Sequence, residues 1–147
     1  MSEKKIKNIF INGAIDPVFI AKSIANHNSK TDIGGHSIFL GQIRKDEIEG
    51  KFVSAIEYTA FEELALTKMH EIREDIFSKY PLSCMHVHHS LGKINVGEIC
   101  LFVFTSSKHR KPAIDACNEL VERIKTELPI WGKEIFADNS YQWKENI

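Results

Sequence analysis

A basic cluster spans residues 106–111 (SSKHRK), where the sequence predicts that a helix begins. The first turn of a helix presents free backbone N–H groups, and the helix dipole favours an anion there. Arg110 adds a fork of donors suited to phosphate. Basic residues in a first turn oppose the dipole, so their presence favours an anion site that includes His109 and Arg110. A solvated basic helix start is the alternative.

Lys125 lies at the margin of the apolar face of the same predicted helix. At 100° per residue it falls roughly 80° from Cys117, which belongs to that face. A lysine in such a place can extend its ammonium to water. Alternatively, the ammonium reaches a pocket beside Trp131, where partial burial would lower its pKa and suit it to proton transfer or covalent attack.

Arg44 ends a predicted strand and opens a charged segment. Residues 44–51 (RKDEIEGK) contain six charged residues in eight, which predicts a solvated, mobile loop. The arginine can be a plain surface charge. A loop of this kind can also close over a ligand, which would place Arg44 in a binding site.

The histidines and cysteines do not form a recognisable metal pattern. His86 and His88 would share one face of a strand, but no third ligand is evident and no CxxC pair occurs. We therefore predict no metal site, no cofactor, and reduced, core-packed thiols at Cys84, Cys100 and Cys117.

The spacing of hydrophobic residues and the positions of capping residues, prolines and glycines predict three helices and seven strands. Asp16 and Pro17 suit a helix N-terminus, Pro81 and Pro129 end the two later helices, and Gly34 with Gly35 precedes a strand. The order βαββαββαββ predicts an α+β fold with a largely antiparallel sheet, formed by residues 1–147 as one domain. The predicted strands are 5–11, 36–43, 52–58, 84–91, 99–105, 130–137 and 141–144; the predicted helices are 16–26, 61–79 and one that starts at Ser106 or Ser107 and ends before Pro129.

The bulk composition limits the class of protein. Hydrophobic residues make up 43% of the chain and the net charge is −1, which argues against a protein that coats nucleic acid or an anionic membrane. No apolar run approaches the ~20 residues that span a bilayer. The N-terminus also lacks the apolar segment of a secretory signal, so we expect a cytoplasmic protein.

Five motifs in order resemble the molybdopterin synthase large subunit family, and together they cover the chain from about Ala14 to Glu145. The pairing of the fourth and fifth is the most specific feature. The motifs are FLGQIR at 39–44, AIEYTAF at 55–61, HHSLGKINVGE at 88–98, FTSSKHR at 104–110 and IKTELPIWGKE at 124–134.

The resemblance implies an α/β hammerhead fold with three main helices, and a catalytic subunit of a sulfurtransferase in molybdenum cofactor biosynthesis. The subunit would form a homodimer that carries two small ubiquitin-like subunits, a heterotetramer. Each small subunit would end in a Gly-Gly thiocarboxylate. Its sulfur would pass to cyclic pyranopterin monophosphate (precursor Z) to form the dithiolene of molybdopterin.

The resemblance also implies roles for particular residues. Lys125 matches the essential lysine, His109 and Arg110 match a pair that holds the anionic part of the substrate, and Arg44 matches an arginine of the site. Trp131 is expected beside the substrate. The family has a second lysine directly after the tryptophan, where this chain has Gly132, so Lys133 would have to replace it through a local backbone shift that glycine permits.

A distance argument suggests that the site is shared between two chains. Arg110 and Lys125 lie 15 positions apart on one predicted helix, roughly 22 Å at 1.5 Å per residue. One small pterin does not span that length, so the His109–Arg110 pair would come from the neighbouring subunit. Two alternatives remain: a non-catalytic adaptor that binds a Gly-Gly tail, and a different phosphate- or nucleotide-binding enzyme built on residues 106–111.

Overall fold

The computed structural model describes residues 6–145, which form three helices and eight strands. This confirms the predicted α+β class. The elements are β1 Phe10–Asn12, α1 Pro17–Ala25, β2 Gly35–Gln42, β3 Glu47–Ile48, β4 Lys51–Ala60, α2 Glu62–Lys79, β5 Cys84–Asn95, β6 Ile99–Ser107, α3 Arg110–Glu127, β7 Ile130–Phe136 and β8 Tyr141–Trp143.

The strands form one sheet in the order β2-β6-β5-β4-β7-β8, with β3 added to β4 and β1 added to β5. Every pairing between strands is antiparallel except that of β1 with β5. The sheet is therefore largely antiparallel, as predicted. Central strand β6 is buried on both faces, since α3 lies on one face and α1 packs over the other.

The helix ends follow local rules. The Asp16 carboxylate accepts a 2.9 Å hydrogen bond from the Val18 N–H, and Pro17 is the first helical residue of α1. The cap of α3 differs from the prediction. Its N-cap is His109 rather than a serine, while the Ser107 hydroxyl accepts a 3.0 Å hydrogen bond from the Ala113 N–H.

The main core lies between the sheet and the two long helices. Met69, Ile72 and Ile76 of α2 meet the buried face of α3 there. A smaller cluster on the other side joins Ile15 and Ile20 near α1 to two phenylalanines of β6, Phe102 and Phe104. Within residues 6–145, none of the helices has the length and apolar composition needed to cross a bilayer.

Three boundaries depart from the prediction. Strand β1 is only Phe10–Asn12, whereas 5–11 was expected, and Lys5 lies outside the described residues. The charged segment 44–51 is exposed but not simply a loop, because Glu47 and Ile48 pair with β4. Strand β5 continues past Leu91 to Asn95: Gly92, with φ of +85°, stays in the strand where its partner changes from β6 to β4.

A close backbone approach at Gly34 holds the start of α3. The Gly34 N–H donates a 3.0 Å hydrogen bond to the Ser107 carbonyl, and a Cβ at Gly34 would lie 2.1 Å from the Lys108 carbonyl oxygen. We expect Gly34→Ala to lower the free energy of unfolding by about 1–3 kcal/mol, the usual cost of overpacking. Urea unfolding would measure it.

The control for this prediction is Asp32→Ala, in the exposed turn before β2. Such a surface change is expected to stay within about 0.5 kcal/mol of the wild type. A Gly34→Ala protein with wild-type stability would show that the segment beginning α3 moves freely.

Candidate functional site

Lys125 lines a cavity of about 430 Å³ between the C-terminal half of α3 and strands β2, β4 and β7. Arg44 lines the same cavity. The structure thus brings together two of the predicted site residues, which are 81 positions apart in the chain. The lining residues are Phe39, Leu40, Gly41, Gln42, Arg44, Asp46, Ile56, Tyr58, Cys100, Val121, Glu122, Lys125, Glu134, Lys144 and Glu145.

The ammonium of Lys125 is partly withdrawn from water. The side chain is half-buried, and burial lowers the pKa of Lys125 below its ordinary value. The positive charge of Lys144 lowers the pKa further, while Cys100 opposes the shift. Lys125 is therefore more readily deprotonated than an exposed lysine, which suits a group that exchanges protons during a reaction.

Beneath the cavity, Tyr58 and Cys100 form a buried polar pair. The Tyr58 hydroxyl donates to Cys100 Sγ at 3.8 Å, and the Cys100 thiol in turn donates to the Gly41 carbonyl at 3.5 Å. Burial is the main reason that the pKa of Tyr58 is raised. Tyr58 therefore holds its proton, and the hydrogen-bonded pair forms the floor of the cavity beside the lysine.

Glu134 is a cavity residue that the sequence analysis missed. It is 7% exposed, lines the cavity, and its carboxylate accepts a 3.2 Å hydrogen bond from Gln142 Nε2 on β8. Strand alternation on β7 was enough to place it on the face opposite to Lys133, but no chemical pattern in the sequence marked it. A buried carboxylate facing the cavity of Lys125 can position the ammonium or accept a proton from it.

Arg44 is an exposed member of the site. Its side chain is 74% exposed and forms a 3.2 Å ion pair with Asp46. Exposed pairs of this kind contribute little stability. The guanidinium can therefore exchange Asp46 for an anionic ligand at small cost.

His109 and Arg110 stand at the opposite end of α3. Both are exposed and line an open depression with Lys111, Ile114 and Asp115. Neither residue lines the cavity of Lys125. Because α3 runs unbroken from Arg110 to Glu127, the expected separation of the two ends is confirmed. One chain by itself does not join them.

Lys133 and Trp131 lie on the other face of β7. Lys133 pairs with Glu57 at 3.4 Å, and its ammonium stands 4.6 Å from the centre of the Tyr141 ring. Trp131 is 52% exposed and is not among the cavity residues. The expected pocket for Lys125 beside Trp131 is therefore wrong for a single chain, because alternation on the strand turns Trp131 outward, while the role of Trp131 in substrate binding stays a prediction.

The backbone shift suggested at Gly132 is also wrong. Gly132 pairs regularly with Tyr58, and Lys133 pairs with Glu57. Gly132 is not among the residues with positive φ. A Cβ there would lie 3.1 Å from Ile56 and 3.2 Å from Tyr58, so the glycine leaves space for these side chains. The catalytic role of Lys133 stays a prediction to which this geometry gives no support.

His89 lies under Lys125 and makes the site sensitive to acid. The imidazole is 3% exposed, and its Nδ1 donates to the Ser90 carbonyl at 2.7 Å. Burial lowers the pKa of His89 to about 4, and the charge of Lys125 contributes to this shift. The folded protein therefore keeps His89 neutral over a range of pH in which the unfolded chain binds a proton.

This difference predicts a loss of stability in acid. The free energy of unfolding should be highest above pH 6.5 and fall as pH drops from about 6.5 toward 4, because the unfolded state then binds more protons. At 1.36 kcal/mol per tenfold change in proton affinity, His89 accounts for a loss on the order of 3 kcal/mol. Urea unfolding at pH 7 and pH 4 would measure it.

A His89→Gln variant should show a smaller difference between the two pH values. His70→Gln, on the surface of α2, serves as the matched control and should keep the wild-type difference because His89 is intact. If His89→Gln kept the wild-type pH dependence, the acid sensitivity would have to come from other groups.

Comparison with known proteins places the chain in a family. The sequence model of the MoaE protein matches residues 14–127. The molybdopterin synthase catalytic subunit of Pyrococcus abyssi is 34% identical over 117 residues, which cover 80% of this chain and 78% of that protein.

The chain belongs to the MoaE protein family. Molybdopterin synthase from Staphylococcus aureus has a similar structure, with a TM-score of 0.81 and 27% identity over 96% of this chain and 99% of that one. The MoaE fold is thus the α/β hammerhead that the sequence resemblance implied.

Some relatives of this MoaE protein are longer. The molybdopterin synthase catalytic subunit of Drosophila willistoni is 40% identical over 115 residues, which cover 77% of this chain but 31% of that protein. In the match to the Drosophila melanogaster protein, the matched residues cover 36% of that protein. The chain therefore spans about a third of the length of these insect relatives.

Proposed function

We propose that this MoaE protein is the catalytic subunit of molybdopterin synthase, a transferase that passes sulfur from a thiocarboxylated small subunit to cyclic pyranopterin monophosphate. The observation that carries the proposal is the half-buried Lys125, which shares one cavity with Arg44. The names of the Pyrococcus abyssi and Drosophila relatives support the same activity.

The cavity suits the chemistry of sulfur transfer to a pterin. The thiocarboxylate sulfur forms a C–S bond to the precursor side chain as an oxygen substituent leaves that carbon, and water then hydrolyses the resulting thioester, which leaves the sulfur on the pterin and a carboxylate on the small subunit. Negative charge develops on the leaving oxygen and on the thioester carbonyl. The ammonium of Lys125 stabilises or protonates the intermediate. The chain need not supply sulfur, because the partner's thiocarboxylate delivers it, so the buried thiols Cys84, Cys100 and Cys117 need not react.

Substrate binding is divided among positive groups. Arg44 and Lys125 lie at the cavity, and His109 with Arg110 provides an anion-binding helix start. Because these two groups lie at opposite ends of α3, we infer that each pocket is composite, with the His109–Arg110 pair contributed by the second subunit of a homodimer.

The partner in this proposal is a small ubiquitin-like subunit whose Gly-Gly tail enters the cavity, giving a heterotetramer. Edge strand β2 exposes three consecutive apolar residues, Ile38, Phe39 and Leu40, at 38%, 37% and 41%. Two of them, Phe39 and Leu40, line the cavity. An exposed apolar edge is typical of a surface that another chain covers. A Helicobacter pylori relative of this fold, 20% identical, is described as a complex of subunits 1 and 2 of molybdopterin-converting factor.

We also propose that the protein works in the cytoplasm and that the sulfur transfer itself needs no bound cofactor. The pterin enters as the substrate.

Reconstitution tests the function. The chain, a thiocarboxylated small subunit and cyclic pyranopterin monophosphate are combined, and dithiolene product is measured. Product that depends on all three components is expected. Tail binding without turnover would favour the adaptor alternative. This outcome is worth testing because Gly132 stands where the family has a second lysine. If the pterin had no effect and a nucleotide instead protected residues 106–111 from hydrogen exchange, another phosphate-ligand enzyme would be favoured.

A further inference from the structure

Three potential metal ligands meet at the far side of the sheet from α3. His27 follows α1, and Cys84 and His86 begin β5. One ligand atom from each residue lies within 4.8 Å of the other two, and the Nε2 atoms of His27 and His86 are 3.2 Å apart. The two histidines are 59 positions apart in sequence, so only the fold brings this group together.

The backbone explains the convergence. Cys84 and His86 are two positions apart on one strand and so point to the same face. Asn26, His27 and Asn28 close a turn after α1, and the His27 N–H donates to the Ile24 carbonyl at 3.0 Å. That turn places the His27 ring over β5.

His27 has the orientation of a metal-bound histidine. Its Nδ1 donates to the Ser23 carbonyl at 2.7 Å, which leaves the Nε2 lone pair directed at His86. A backbone carbonyl that holds the second ring nitrogen is the usual outer partner of a ligating histidine. The 3.2 Å between the two Nε2 atoms is close to the distance between two nitrogens bound to one ion at roughly 2 Å.

The three residues are largely buried, and an aromatic ring covers one side of the group. His27 and Cys84 are buried, at 8% and 7% exposure. The Phe104 ring covers both histidines, with ring centres 4.8 Å from His27 and 5.9 Å from His86. His86 also lines a small cavity of about 70 Å³, whose other lining residues include Lys7 and Arg73.

The charges nearby select the ion. Lys30 Nζ donates to Cys84 Sγ at 2.8 Å, and Lys7 and Arg73 also interact electrostatically with Cys84. Cys84 Sγ therefore already faces several positive groups, so a divalent ion would be held at a greater electrostatic cost than a monovalent one. Thiolate and imidazole together suit soft Cu(I).

We propose that His27, Cys84 and His86 bind one Cu(I) ion in a three-coordinate site. The site is separate from the cavity of Lys125 and does not rest on the proposed sulfur transfer. The sequence analysis predicted no metal because it considered His88 as the partner of His86. His88 instead packs against Phe19 and Phe102, and the missing ligands come from Cys84 and from His27.

An anaerobic competition titration tests the proposal. The full chain is titrated with Cu(I) in the presence of a chromogenic Cu(I) chelator. One ion per chain is expected in the wild type. Cys84→Ser and His27→Gln should each lower the affinity at least tenfold, as loss of a ligand requires. Cys117→Ser removes a buried thiol of α3 and should bind as the wild type does.

X-ray absorption of the loaded chain should show one sulfur and two nitrogen neighbours. Circular dichroism establishes whether each variant is folded. If His27→Gln does not fold, His86→Asn provides a second variant that lacks one ligand. Binding that survives Cys84→Ser, or no binding tighter than that of the chelator, would overturn the proposal. A titration in which Zn²⁺ binds and Cu(I) does not would overturn the choice of a monovalent ion.

Discussion

Lys125→Met is expected to reduce dithiolene formation by about 10²–10⁴-fold, the usual contribution of a positioned proton donor. Methionine keeps the length and apolar stem of the lysine but removes the ammonium, so the packing at the margin of α3 is retained. The loss should appear in single-turnover conversion with saturating small subunit, because the chemical step and not assembly is affected.

The same substitution should not destabilise the fold. Burial lowers the pKa of Lys125, so the charged ammonium opposes folding below its folded pKa, and this cost is relieved as pH rises toward the ordinary lysine value. Replacing it with methionine should leave the free energy of unfolding at pH 7 unchanged or higher. This separates loss of chemistry from loss of structure.

Lys68→Ala is the matched control for Lys125→Met. Lys68 is a lysine of α2 whose side chain is 40% exposed and contacts Glu71, so near-normal conversion is expected. A Lys125→Met enzyme that turned over as fast as the wild type would remove Lys125 from the mechanism. It would leave the cavity as a binding groove only.

Mixing two inactive variants is expected to restore activity if the pocket is shared. Arg110→Ala should lose conversion because the anion pair is broken, and Lys125→Met loses the ammonium. A hybrid dimer of the two has one pocket with both defects and one with neither. Random exchange makes half of the dimers hybrid, so about a quarter of wild-type activity should return.

The mixture of Lys125→Met with Lys125→Ala is the control, because every pocket then lacks the lysine and nothing should return. Differently tagged chains that purify together would establish that subunits exchange. Absence of recovery under those conditions would mean that His109–Arg110 and Lys125 do not act on one substrate across two chains.

Position 132 shows that a sequence motif can suggest a site residue without fixing the direction of its side chain. The motif IKTELPIWGKE made Lys133 a candidate for the second lysine of the family, but a strand allows no such replacement without a bulge. The pairs Gly132–Tyr58 and Lys133–Glu57 are regular, so Lys133 faces away from the cavity. Alternation along β7 instead turns Glu134, the last residue of that motif, into the cavity of Lys125. The motif had assigned no role to this glutamate.

The sequence alone determined the class of fold, most element boundaries and the place of Lys125 at the edge of an apolar helix face. These properties depend on neighbours within a few positions: helical and strand periodicity, the Asp16 cap, and the prolines that end helices. Local interactions act in any chain with that sequence, so they can be inferred without knowing what packs against them.

Only the tertiary structure decided which groups share a site. It placed Arg44 with Lys125, turned Trp131 and Lys133 away, and brought His27 to Cys84 and His86. The physical reason is that contacts between distant segments depend on strand register and on which face each residue occupies. A shift of one position exchanges the two faces of a strand, and no local pattern specifies that choice.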